Sequence, residues 1–174
     1  NQNIFLSPEM KSTGEVIGFD KHLGSAYAKA EIGAGNKLPK SGTIFISVNK
    51  SDKNKIIKIA RDFYEMDYKI IATKGTAELL NENGINSDKI YKVGEGRPNI
   101  VDMIKNNEIN MIINTPLGAQ SRYDEYKIGK EAIKYKVPVL TTISGANVAL
   151  RAIRFLHNKN LTYQSLQTIF KNNE

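Results

Sequence analysis

Thr73-Lys74-Gly75-Thr76 concentrates donor groups in a short span. The tetrapeptide follows an apolar run, Tyr68 to Ala72, and opens a helical pattern, Thr76 to Asn83, that stops at Gly84. Glycine allows a tight turn at such a junction. A helix starting there offers free backbone N–H groups and the positive end of its dipole. With the threonine hydroxyls and the lysine ammonium, these make a phosphate cradle. A plainer alternative stays open, in which Thr76 only caps the helix.

Convergence favours the cradle. In open parallel sheets, ligands lie beyond the C-terminal ends of the strands. Asn49-Lys50-Ser51-Asp52-Lys53 follows one apolar run, and Lys92 with Gly94-Glu95-Gly96-Arg97-Pro98 surrounds another. Asn114-Thr115-Pro116-Leu117-Gly118 follows a third, and Thr142, Ser144 and Gly145 a fourth. Lys53, Lys92 and Asn114 are therefore expected in the same crevice as the Thr-Lys-Gly-Thr turn.

Several chemistries find no support. No G-x-G-x-x-G follows a strand, and there is no Walker A sequence. His22 and His157 fall outside the strand-end loops, lack metal-ligand spacing and read as surface residues. Asp52 and Asp124 are candidate carboxylates, but capping and surface roles explain them equally. No general base stands beside a nucleophile. The pattern is that of an anion binder, with no catalytic and no metal-ligating residues expected.

The elements that must position these loops alternate in type. Strands are expected at Thr43–Val48, Tyr68–Ala72, Lys89–Val93, Ile109–Asn114 and Val137–Thr141, all short and rich in β-branched residues. Helices are expected at Leu23–Ala34, Asp52–Met66, Thr76–Asn83, Pro98–Asn106, Arg122–Tyr135 and Ser144–Phe155, with a last one at about 163–170. Asp52 is a possible N-cap, and Tyr126, Ile133 and Gly129 are expected to face inward. Alternating strands and helices imply a doubly wound, three-layer α/β/α domain on a five-stranded, mainly parallel sheet. Residues 1–20 show no periodicity and read as a connecting segment.

The 174-residue length suits one domain with its own core. Without cysteine there is neither a disulfide framework nor a cysteine zinc site, which fits a reducing, cytoplasmic setting. No apolar stretch is long enough to span a membrane, and the start does not read as a secretory signal. Lacking an initiator Met, the chain is expected to be processed or a piece of a longer one. The +7 charge suggests anionic partners. Twenty of the 25 basic residues are Lys, spread along the chain. Nucleic-acid proteins cluster arginine forks and aromatic platforms instead, so a small anionic ligand is expected and nucleic acid is not.

The quoted loops carry a resemblance. Pro8–Val16, Ala26-Tyr27-Ala28-Lys29-Ala30, Phe45–Val48, Thr73–Thr76, Lys92–Pro98, Ile112–Pro116 and Thr141-Thr142 together resemble the C-terminal allosteric domain of carbamoyl-phosphate synthase large subunits, which has the methylglyoxal-synthase-like fold. The resemblance implies that residues 1–20 connect from a preceding synthetase unit and that 21–174 form the allosteric domain. It implies an effector phosphate on Lys53, Thr73, Thr76 and Lys92. Lys74 stands where a bacterial member has His. Base and ribose are implied near Asn114 and Thr115. Effectors known in the family are uridylate, inosinate and ornithine in bacteria, and uridine triphosphate, phosphoribosyl pyrophosphate or N-acetylglutamate in animals. The parent ligase joins bicarbonate, glutamine-derived ammonia and ATP, with magnesium and potassium, for pyrimidine and arginine synthesis. Its partners are a glutaminase subunit or domain and the preceding synthetase domains. Methylglyoxal synthase itself needs carboxylates and a histidine that Lys74 and Pro116 do not supply.

Two further expectations follow. The effector signal is expected to pass through residues 1–20. Bacterial members that respond to ornithine carry Asp directly before the Thr-Thr pair, whereas Leu140 stands there in this chain. Leucine offers an ammonium group no partner, so a weak ornithine response is expected.

Overall fold

The computed structural model describes residues 16–115 and 122–171. Its strands are β1 (Thr43–Ser47), β2 (Lys69–Thr73), β3 (Ser87–Ile90), β4 (Met111–Asn114) and β5 (Val139–Leu140). Its helices are α1 (Leu23–Gly33), α2 (Lys53–Tyr64), α3 (Lys74–Glu82), α4 (Ile100–Lys105), α5 (Arg122–Lys134), α6 (Ile143–Asn158) and α7 (Leu166–Lys171). The strands form one sheet in the order β3-β2-β1-β4-β5. Every neighbouring pair is parallel.

Strand geometry sends alternate side chains to opposite faces. Ile44, Ile46, Ile70, Ala72, Met111 and Ile113 pack on one face against α2, α3 and α6. Phe45, Ile71 and Ile112 pack on the other, against Ile100 and Ile104 of α4 and Ile128 and Ala132 of α5. Burying one such side chain contributes roughly 1.5–3 kcal/mol. The three-layer α/β/α arrangement is thus the direct result of apolar residues at consecutive strand positions. α1 packs on α6 through Gly24, where an added Cβ would stand 2.6 Å from the Arg151 carbonyl oxygen. Tyr68 closes the edge of the core. Its hydroxyl donates to the Pro39 carbonyl at 2.8 Å, and burial pushes its ionisation up to about 12.

Both sheet edges are blunt. β3 carries exposed Asp88 and Lys89, with Asp88 2.9 Å from Lys69 of β2. β5 is two residues long. It follows Pro138, whose carbonyl accepts from Ile112 N at 2.9 Å.

Some expected elements shift. β3 occupies 87–90, not 89–93. The Asn81 side chain of α3 bonds both Ser87 N and Ser87 O and so fixes the start of the strand. α4 begins at Ile100, not Pro98, because Asn99 and Asp102 form a capping box. Asp52 holds the N-cap position of α2, but its side chain makes no capping bond. Asn49 instead accepts from Asp52 N at 3.0 Å and heads a 3₁₀ turn, Lys50–Asp52. Tyr126 and Ile133 do not face inward: they are 40% and 55% exposed, and α5 buries Ile128 and Ala132. Seven residues apart, Tyr126 and Ile133 share a helix stripe, but the sheet lies under the other one. The helix expected at about 163–170 runs from Leu166 to Lys171.

The chain reaches α1 under restraint. Asp20 accepts from Lys29 Nζ and Ser25 Oγ, both at 2.7 Å. The Lys29 bond, with that of Ser25, holds the Asp20 carboxyl far below the usual carboxylate range. Pro8–Glu15 of the resemblance and Pro116 lie outside the described residues.

Candidate functional site

The strand order reverses between β1 and β4, because the chain steps from β1 outward to β2 and β3 and then returns to β4. Their C-terminal ends therefore diverge into the crevice where parallel sheets bind ligands. Ser47, Thr73, Lys92 and Asn114 line a cavity of about 30 Å³ at this point. Thr73 caps α3 from the end of β2 but spends its hydroxyl elsewhere, donating to Ser47 Oγ at 3.4 Å. Thr115 N donates to the Ser47 carbonyl, and Thr115 Oγ1 accepts from Asn49 N at 2.9 Å. The loops after β1, β2 and β4 are thereby tied together.

Lys53, the first residue of α2, donates from Nζ to the Gly75 carbonyl at 2.8 Å. A Cβ on Gly75 would lie 3.2 Å from that ammonium. Glycine therefore leaves room for Lys53 above the start of α3, beside the helix's free N–H groups. Lys74 is exposed at the same helix start. Lys92 stands beyond β3 in a turn closed by Glu95 N and the Lys92 carbonyl at 3.1 Å. Its ammonium is half-exposed, 3.7 Å from Glu95. Asp52 sits below Lys53. Burial raises its ionisation, but bonds from Lys55 and Asn49 outweigh burial and hold it below the ordinary value.

The arrangement joins two kinds of group. The hydroxyls and the amide, Thr73, Thr76, Asn114 and Thr115, are buried. The cations Lys53, Lys74 and Lys92 are partly or fully exposed. Thr76 is the third residue of α3 and 2% exposed, so the capping alternative fails: the cap position belongs to Thr73. Thr73, Lys92 and Asn114 share the small cavity, Lys53 meets the same turn from above, and Lys74 flanks it. The cavity has room for about one water, so an anion the size of phosphate does not fit inside it.

Sequence reading missed Ser47 and Glu125. A serine ending the apolar run Thr43–Ile46 was a signal for the first. Asp124 and Glu125, in the first turn of α5, line the cavity with Lys92. Carboxylates thus do border the crevice, the candidate Asp124 among them. No histidine does so among the described residues, and no cluster of His, Asp or Glu there could hold a metal ion.

A larger groove of about 670 Å³ adjoins at Asn114 and Glu125 and runs beside β5, past Tyr27, Tyr126 and Ile133. Leu140 faces the core at 7% exposure.

A parallel α/β domain with lysines, hydroxyls and a helix start gathered at its switch point has the arrangement that α/β anion-binding sites use. Residues 55–141 match the MGS-like domain model, and the chain belongs to that family. It is 44% identical over 95% of its length to the carbamoyl phosphate synthase large chain of Nostoc sp. and 48% identical over 93% to that of Archaeoglobus fulgidus. It spans 15% of each of those proteins. Against the C-terminal section of the Aquifex aeolicus large chain, identity is 45% over 95% of this chain and 32% of that section. Among solved structures, methylglyoxal synthase from Elizabethkingia anophelis superposes with a TM-score of 0.53 at 15% identity, covering 73% of this chain and 97% of that one. That likeness establishes the fold. Among the described residues no helix is long and apolar enough to cross a membrane.

Proposed function

We propose that this chain is the effector-binding regulatory domain of a glutamine-hydrolysing carbamoyl phosphate synthase. The observation that carries the reading is the meeting of Lys53, Thr73, Lys92 and Asn114 around one strand-end turn. The similarity to synthase large chains supports it. The bound group is a phosphorylated, nucleotide-type effector. Its phosphate rests on Lys53, Lys74 and Lys92 with Thr73 and Thr76 beneath, and its base and ribose lie toward Asn114 and Thr115. Residues 1–20 connect this domain, 21–174, to preceding synthetase units in the cytoplasm. Those units, with a glutaminase subunit or domain, form carbamoyl phosphate for pyrimidine and arginine synthesis using ATP, magnesium and potassium. Effector binding biases them by favouring one of two states.

Calorimetric titration with uridylate, inosinate, uridine triphosphate, phosphoribosyl pyrophosphate and N-acetylglutamate tests the reading. Saturable binding of one of the phosphorylated compounds, lost in Lys53→Ala/Lys92→Ala, is the expected result, with N-acetylglutamate as the comparison that has no phosphate. Binding of none overturns it. The crevice carboxylates Asp124 and Glu125 favour a second reading, a lyase acting on a phosphorylated triose. Turnover of dihydroxyacetone phosphate by the isolated chain would establish that reading in place of the first.

A further inference from the structure

The segment leading into α1 lies along that helix in the reverse direction. Val16 packs at Gly33, where an added Cβ would stand 3.6 Å from the Val16 side chain. A Cβ on Gly18 would collide with the Ala26 carbonyl oxygen and stand 2.7 Å from Ala30 N, so the two backbones touch there. Asp20 is held by Ser25 and Lys29, and Lys29 Nζ also donates to the Phe19 carbonyl at 3.1 Å. Val16, Gly18 and Asp20 are thereby fixed to α1. The residues between them, Ile17 and Phe19, face solvent and are 94% and 56% exposed.

One exposed apolar side chain means little, whereas a cluster marks an interface. Ile17 and Phe19 line a groove of about 670 Å³ together with Tyr163, which is exposed too. The Tyr163 ring lies 5.7 Å from Lys29 Nζ. Among the described residues the exposed large aliphatic side chains are Val16, Ile17, Leu23, Ile32 and Ile133, and all but Ile133 lie on this segment or on α1. Asp20 and Lys29 neutralise each other at 2.7 Å. The groove therefore offers an apolar cluster flanked by exposed Lys21 and His22. It shares no lining residue with the strand-end crevice.

Two observations point to the occupant. The chain spans 15% of the Nostoc and Archaeoglobus relatives, so a domain of this kind is built into a much longer polypeptide. The groove is made by the residues through which the chain enters the domain, so whatever folds ahead of residue 16 is tethered beside it. A short tether raises the effective concentration to the millimolar range, enough to close a contact too small to hold two separate molecules. A second copy has no such help, and two domains of charge +7 repel each other.

We propose that Ile17, Phe19 and Tyr163 form the docking face for the folded unit that precedes this domain in the full enzyme, which seats an apolar surface on them. This docking rests on the proposed placement of the chain after synthetase units, and not on effector binding.

Hydroxyl-radical footprinting of the 174-residue chain and of the full enzyme tests it. In the chain alone, Phe19 and Tyr163 should label as exposed side chains at every protein concentration. In the full enzyme their labelling should fall to the level of the buried Phe63 and Tyr68. Ile17→Ser/Phe19→Ser should leave the melting temperature of the isolated chain unchanged, because both side chains are exposed there. In the full enzyme the same double variant should restore Tyr163 labelling. The proposal is overturned if Phe19 and Tyr163 label equally in both proteins. It is also overturned if they are already protected in the isolated chain, whether by residues 1–15 or by a second copy, or if a folded double variant keeps Tyr163 protected. Calorimetry with the phosphorylated compounds named above separates the two readings. No binding with protection kept defeats the effector reading alone, and binding with protection absent defeats the docking face alone.

Discussion

Replacing Lys53 and Lys92 together with alanine tests the crevice most directly. Lys53 is fixed by its 2.8 Å bond to the Gly75 carbonyl, so little side-chain entropy is lost when an anion arrives. Lys92 is freer: its side chain is 47% exposed and its nearest acid, Glu95, is 3.7 Å away. A hydrogen bond to a charged group contributes about 1.5–3 kcal/mol, and exposure argues for the low end. Two contacts then give about 3 kcal/mol, a loss of roughly two powers of ten in affinity. The assay is calorimetry with the tightest phosphorylated effector, beside circular dichroism and a melting curve to show that the fold is kept. Added salt should weaken wild type more than the double variant, because the lost contacts are screened ones. If the lysines grip one phosphate, the single changes should be non-additive by more than about 0.5 kcal/mol. Affinity unchanged in a folded double variant would refute the reasoning.

Gly75→Ala should separate binding from stability. The methyl group meets Lys53 Nζ at 3.2 Å and displaces it, so effector affinity should fall about as far as in Lys53→Ala. The same change raises helix propensity in α3 by up to about 1 kcal/mol, so melting temperature should hold or rise; a drop in both measurements contradicts this. Leu140 is buried in β5 and offers no carboxylate, so saturating ornithine should activate the full enzyme weakly or not at all in steady-state assays. Strong activation that persists with Leu140 in place shows that another carboxylate serves. Asp20 ionises far below the usual range because Lys29 and Ser25 hold its charged form. Its contribution to stability is present above an ordinary carboxylate value of about 4 and is lost as pH falls through its depressed native value. Asp20→Asn should therefore melt lower than wild type at neutral pH, with the gap closing in strong acid; a gap independent of pH counts against the pair. Truncating the full enzyme after about residue 20 should keep basal synthesis and abolish the effector response, and a preserved response would place the effector site outside residues 21–174.

The sheet was legible because its central strands are short apolar runs rich in isoleucine. Thr43–Ile46 and Met111–Ile113 bury both faces, and no alternation had to be resolved. Strand-end logic then pointed to Thr73 and Asn114, which end β2 and β4, and to Lys53, which opens α2 after β1. Where side chains from other elements set the boundary, local pattern misled. β3 begins with a polar Ser87 that only Asn81 of α3 explains. On α5 the apolar residues fall on two stripes, and which one is covered depends on where the sheet lies. Glu125 was missed, and Asp124 left between two roles, for a related reason. They belong to a helix in sequence but to the crevice in space, and only the turn of α5 beside β4 brings them there.

The blunt sheet edges have a consequence for how such a unit survives in a crowded cell. An open edge recruits strands from other chains, and parallel sheets are exposed to this hazard while they fold. One edge here repels company with charged Asp88 and Lys89. The other ends after Val139 and Leu140, behind a proline that has no N–H to donate. A newly made copy therefore presents almost no template for amyloid-like stacking. A sheet closed at both edges in this way can sit beside other folded units with little tendency to add their strands to its own.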